Sequence, residues 1–163
     1  MKQLFKVIQI WCGPRTDIYK KYEVCMDQTK KFFEDNGYEY IRIIKEESEY
    51  GNFVIDTDTM RMELATENPQ MLYIDCDIVF YKVPIFDKEG IPYFDKRDEY
   101  NFNECLFYVN DCCDFFKSVF AEKERRNIGY VYGWPNKIIR SKKCHVMDKT
   151  CYEHYLFTNG DRK

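Results

Sequence analysis

The sequence predicts an α/β protein with one open, mostly parallel sheet flanked by helices. Three observations carry this. Strand-like and helix-like segments alternate along the first half of the chain. The segment 70–83, QMLYIDCDIVFYKV, has a nearly continuous apolar core of β-formers, as a central strand covered on both faces requires. The 163 residues include 45% hydrophobic and 18% aromatic side chains with no linker, repeat or low-complexity block, which fits a single domain over 1–163.

The elements follow in order. Residues 5–12 read as a strand that Gly13-Pro14 ends. Thr16 caps a helix whose apolar face holds Ile18, Tyr22, Cys25, Met26, Phe32 and Phe33, and Asn36-Gly37 closes it. YEYIRII, 38–44, is a second strand. Asp56-Thr57 is read as the cap of a helix running to about Asn68, with Met60, Leu64 and Ala65 inward and Pro69 as its stop. After the apolar strand, 104–109 reads as a further strand. Asn110-Asp111 then caps a helix with Phe115, Phe116, Val119 and Phe120 inward, and Gly133-Trp134-Pro135 starts a short one. His145 falls in a short strand.

Composition excludes several classes. Aromatic richness excludes disorder. No apolar run reaches the roughly 20 residues of a membrane span, and the mean hydropathy is −0.61. A net charge of −3 argues against a nucleic-acid partner. The first residues show no signal peptide, so a cytoplasmic setting is expected, with the eight cysteines reduced and mostly packed as small hydrophobes.

Asp75 and Asp77 interrupt the apolar strand two residues apart, so an extended chain would point both to one side. Like charges this close on a buried strand need protonation or a bridging cation. Oxygen donors favour a hard ion, Mn²⁺ or Mg²⁺, shared with substrate phosphates. Asp56 and Asp58 show the same spacing, but open a helix after a polar loop.

KVIQIWCGPR, TDTMRMELATENPQ and MLYIDCDIVF together resemble the glycosyltransferase sugar-binding region that contains the DXD motif, found in capsular-polysaccharide and α-mannosyltransferase-type enzymes. Ile8, Gln9, Ile10, Trp11 and Gly13 match its first strand, without the usual His, and Thr57, Asp58 and Arg61 stand in for its helix motif. The resemblance covers residues 5–85 well, the donor-binding half, and 86–163, the sugar and acceptor side, loosely. It implies a GT-A fold and a retaining, metal-dependent transfer of sugar from a nucleotide-sugar donor, UDP- or GDP-linked, to a glycan or other acceptor. By carry-over, Ile10 and Trp11 would touch the base, Asp58 and Arg61 the donor, Asn103 the sugar, and Asp75, Asp77 and His154 the metal. Plainer structural roles compete: Trp11 as core, Arg61 paired with a helix carboxylate, and His154 as an ordinary hydrogen-bonded side chain. The Asn159-Gly160 tail departs from the family's Ser-Trp ending, and Lys142, Lys143, Arg162 and Lys163 are either phosphate-screening or solvated.

Two other classes share features. MLYIDCDIV also fits a haloacid-dehalogenase-like phosphotransferase with Asp75 as nucleophile, although that motif normally lies on a first strand and lacks its paired acidic partner here. A zinc interaction module would use Cys112, Cys113, Cys144, His145, Cys151 and His154, but no C-x-x-C spacing exists.

Overall fold

The computed structural model describes residues 4–98 and 101–155. Its element order is β1 (Lys6–Cys12), α1 (Asp17–Asp35), β2 (Glu39–Lys45), α2 (Phe53–Glu67), β3 (Met71–Ile74), β4 (Ile78–Phe80), β5 (Tyr93–Lys96), β6 (Phe102–Tyr108), α3 (Cys113–Arg125), α4 (Trp134–Ile139), β7 (His145–Val146) and β8 (Tyr152–His154), with a 3₁₀ turn at Lys149–Cys151. The main sheet has six strands in the order β2-β1-β3-β6-β5-β7. β1 pairs in parallel with β2 and β3, β7 is parallel to β5, and β6 alone runs against its neighbours. The mostly parallel α/β sheet read from the sequence is present.

Alternating side chains explain why helices cover both faces. Val7, Leu72, Ile74, Leu106 and Tyr108 pack on one side with Phe33 of α1, and Ile8, Ile10, Met71, Tyr73 and Phe107 on the other with α2, α3 and α4. The fully buried Trp134 anchors α4 there, and its indole N–H donates to Thr59 Oγ1 at 3.0 Å. Gly133 precedes it at φ 68°, a left-handed conformation that glycine adopts without a Cβ penalty.

Four local expectations are revised. The run 70–83 is not one strand. It breaks at Asp75-Cys76-Asp77 into a turn closed by Ile78 N–H to Asp75 O, 3.2 Å, and β4 then joins β8 in a separate two-stranded sheet. α2 begins a turn earlier than Asp56, at a cap where Asn52 Oδ1 accepts from Val54 and Ile55 N–H. α3 starts after Cys112, while Asn110 and Asp111 form a left-handed turn whose Asn110 amide donates to Lys88 O and Ile91 O. Ile18 lies 63% exposed rather than inward. β5, with no counterpart in the sequence reading, is only four residues between Pro92 and a charged run, too short for a period-2 signal.

Displaced from its capping role, Asp56 stitches the preceding loop: buried, it accepts from Glu49 N–H at 3.1 Å and Tyr50 N–H at 2.9 Å. Burial would raise this carboxyl, but hydrogen bonds from Ser48 and from the Tyr50 and Glu49 backbone outweigh it and hold it below its ordinary value. A carboxyl so lowered contributes stability above the ordinary carboxylate range and loses it as the pH falls through the lowered folded value. Asp56→Ala is therefore expected to cost about 1–3 kcal/mol at neutral pH in urea unfolding. The gap to wild type should narrow as the pH drops below about 4.

Candidate functional site

At the carboxyl ends of β1 and β3 the chain leaves a cavity of about 450 Å³, within the range of small-molecule sites. Ligands of open α/β sheets bind beyond these strand ends. Its lining includes Ile10, Trp11, Asp58, Arg61, Asp75, Asp77 and Asn103, drawn from β1, α2, the β3–β4 turn and β6. These seven are the positions singled out from sequence, apart from His154.

Arg61 occupies the centre. Its guanidinium is buried, at 2.5 Å from Asp58 Oδ1, 3.2 Å from Asp75 Oδ1 and 3.2 Å from Glu104 Oε1, and it lies over the Tyr73 ring at 5.4 Å. The i,i+3 spacing on α2 puts Asp58 and Arg61 on one face. That face is buried along with Met62 and Ala65, whereas Met60 and Leu64 are only partly covered. Asp58 spends its second oxygen on Gly133 N–H, 3.1 Å, tying α2 to the start of α4. Asp75 Oδ1 also accepts from Tyr73 Oη at 2.6 Å.

The Asp75-Cys76-Asp77 turn is held from several sides. Asp75 N–H donates to Cys105 O at 2.8 Å, Gln9 Nε2 donates to Asp75 O at 3.1 Å, and the Cys76 thiol donates to Ile10 O at 3.0 Å. Tyr155 N–H donates to Asp77 O at 2.6 Å, and Thr29 Oγ1 to Ile78 O at 2.8 Å. The two aspartates thus do not share one side of a strand: Asp75 reaches Arg61 on α2. The fully buried Asp77 acts on the α1 side, where burial and next its charge push the Cys25 thiol up to about 12.

The lining holds four carboxylates, Asp58, Asp75, Asp77 and Glu104, against two guanidinium groups, Arg61 and Arg97. Burial raises the Glu104 carboxyl, opposed by Arg61 and reinforced by Asp58 and Asp75. Burial likewise raises Asp58, with Arg61 and Gly133 N–H opposing and Asp75 adding to the rise. Both rises come first from burial, with the neighbouring carboxylates adding to them, and among the described residues the four lining carboxylates bring no three ligand atoms within 4.8 Å of one another. At the rim, Trp11 packs at 5.2 Å from both Tyr19 and Tyr22, its indole N–H donating to Gly13 O. Trp11, Tyr22 and Tyr132 supply the lining's aromatic rings together with Phe53.

His154 stands elsewhere. Among the described residues, the one set of three His, Cys, Asp or Glu ligand atoms within 4.8 Å of one another is Asp95, Cys105 and His154. The cysteine and histidine positions of the zinc-module reading therefore form no such set, and all eight cysteines are free. Asn159-Gly160, Arg162 and Lys163 lie outside the described residues. Sequence reasoning missed Glu104, Asp95, Gln9's grip on the turn and Arg97. Only Glu104 offered a signal, as a carboxylate opening an otherwise apolar strand.

Removing Arg61 would leave three carboxylates without their shared cation. Arg61→Met should destabilise by about 3–5 kcal/mol in denaturant titration. Arg61→Lys should recover only part of this, because a single ammonium lacks the planar fork that spans three partners.

No protein-family model matches the chain, and no curated protein matches it. Among solved structures, the chain is similar to a glycosyltransferase involved in the glycosylation of the major capsid of PBCV-1, with a TM-score of 0.58, 12% identity, and coverage of 88% of this chain and 81% of that one. At that identity the likeness establishes a shared fold.

Proposed function

We propose that this chain is a metal-dependent glycosyltransferase of GT-A type that moves a sugar from a UDP- or GDP-sugar to a glycan or other acceptor, with retention at the anomeric carbon. The observation that carries this reading is the convergence of Trp11, Arg61, Asp75, Asp77 and Asn103, far apart in sequence, on one acidic cavity at the strand ends. The fold shared with a glycosyltransferase supports it. So does charge: a diphosphate entering a lining of four carboxylates and two guanidiniums needs a cation between them.

Asp75 and Asp77 would hold Mn²⁺ or Mg²⁺, which when bound supplies Lewis-acid stabilisation to the leaving diphosphate. The residues of the chain divide the remaining work. Trp11, with Ile10 beside it, offers a ring face to the base at the rim. Both oxygens of Asp58 are taken by Arg61 and Gly133, so Asp58 acts as a positioning residue rather than a direct donor contact. Arg61 fixes the Asp75 carboxylate through one nitrogen. Asn103, half-buried in the lining, and the exposed Arg97 would meet the sugar end. In the transfer, the bond from anomeric carbon to phosphate oxygen breaks, one to the acceptor oxygen forms, and the acceptor hydroxyl's proton passes to the departing phosphate oxygen. A cytoplasmic setting belongs to the same proposal; among the described residues no helix is long and apolar enough to cross a membrane.

Calorimetric titration with UDP- and GDP-sugars in Mn²⁺ tests this. Asp75→Asn combined with Asp77→Asn is expected to abolish Mn²⁺-dependent binding while the circular dichroism stays native, and undiminished binding would remove the assignment. Trp11→Ala should weaken donor binding about tenfold or more, as loss of one base–aromatic stack does. A thermal shift with phosphate mimics and Mg²⁺ but with no nucleotide sugar would instead favour the phosphotransferase.

A further inference from the structure

Beside the carboxylates of the first cavity, which Cys105 also lines, three metal-ligating side chains of different chemistry meet where the two sheets touch. Asp95 comes from β5, Cys105 from β6 and His154 from β8. Cys105 Sγ is 3.7 Å from Asp95 Oδ2 and 3.9 Å from His154 Nε2, and His154 Nε2 is 3.8 Å from Asp95 Oδ2. Three ligands of one tetrahedral zinc ion, at about 2.3 Å for sulfur and 2.0–2.1 Å for nitrogen and oxygen, stand roughly 3.3–3.6 Å from one another. The observed triangle thus exceeds the tetrahedral one by no more than about half an ångström on any edge.

The surroundings prepare this triangle. The pairing of β5 with β6 jumps from Phe94↔Phe107 to Asp95↔Asn103, an irregularity that brings Asp95 and Cys105 together. Tyr152 Oη donates to Asp95 Oδ1, leaving Oδ2 toward Cys105 and His154. Asp95 and Cys105 are only 4% and 5% exposed, whereas His154 is half-buried. A second cavity, about 600 Å³, is lined by Asp95, His154, Arg97, Asn103, Lys149, Tyr152 and Glu153. It shares Arg97 and Asn103 with the first, and Cys105, which lines the first, stands between the two.

We infer that Asp95, Cys105 and His154 form a three-ligand site for zinc, separate from the Asp75–Asp77 site, with its fourth position open to the second cavity. The donor set argues for zinc over Mn²⁺ or Mg²⁺, because thiolate and imidazole suit a borderline-soft ion and three protein ligands with one open position is its reactive arrangement. Arg97 and Lys149 in the second cavity's lining would favour an anionic fourth ligand. Burial, and next the charges of Asp75 and Asp95, hold the Cys105 thiol protonated without metal, so zinc entry releases that proton to solvent as the S–Zn bond forms. The ion would pin β8 to the main sheet.

The full chain, stripped of metal, is titrated with Zn²⁺ alone and, in parallel, with Co²⁺ followed by absorption. One high-affinity ion per chain, with a thiolate-to-cobalt charge-transfer band, is expected. Cys105→Ser should abolish the band, and His154→Gln should weaken Zn²⁺ binding by about 100-fold or more, beyond the loss of a supporting partner. Asp75→Asn with Asp77→Asn should leave the band intact, so this site can stand if the donor site fails. Absence of the charge-transfer band in the wild-type chain, which needs no variant to fold, would overturn the site. So would a band that survives in Cys105→Ser.

Discussion

The buried Arg61 guanidinium is the constraint on which the rest of this structure depends. Its partners come from three elements, Asp58 on α2, Asp75 at the end of β3 and Glu104 on β6, so one cation fixes the helix against two neighbouring strands of opposite direction. A charge so buried is costly to desolvate, and it persists because carboxylates engage it from several sides. Asp58 extends the link through Gly133 N–H to α4, whose Trp134 is part of the same face of the core. The floor of the cavity and the packing of one sheet face are therefore a single electrostatic unit.

Around that unit the surplus of negative charge gives the site its chemistry. One arginine balances one of the three carboxylates it touches, and Asp77 adds a fourth to the lining. In the proposed reading, such an acidic floor would repel a diphosphate unless a divalent ion came with it, so a phosphate-bearing donor and its metal would be recognised together. The turn carrying Asp75 and Asp77 is held by Gln9, Cys76 and Thr29, whose bonds go to backbone carbonyls, while Arg61 and Tyr73 fix the Asp75 carboxylate itself.

The reversed strand β6 places two kinds of site side by side. Running against β3, it starts where β3 ends, and its first residues fall at the ligand edge of the sheet. The irregular pairing with β5 then sends Glu104 to Arg61 and the adjacent Cys105 to Asp95 and His154. Asn103 and Arg97 border both cavities, a continuity that would let a ligand in one be felt in the other.

The sequence by itself determined the alternation of strands and helices in the first half, the buried apolar strand β3 and the helix stop at Pro69, and it singled out Asp75, Asp77, Asp58 and Arg61, which the structure brings to one cavity. Each rests on local periodicity, turn chemistry or the cost of a charge within an apolar run, all legible along the chain. Tertiary structure alone decided that the D-C-D segment is a turn, because only the pairing of β4 with β8 takes the chain out of the main sheet there. It also decided that α2 buries Asp58 and Arg61, since the carboxylates that make this tolerable lie on strands distant in sequence. β5 and the Asp95–Cys105–His154 triangle were invisible for the same reason: short strands carry no period, and a ligand set drawn from three elements has no spacing to read.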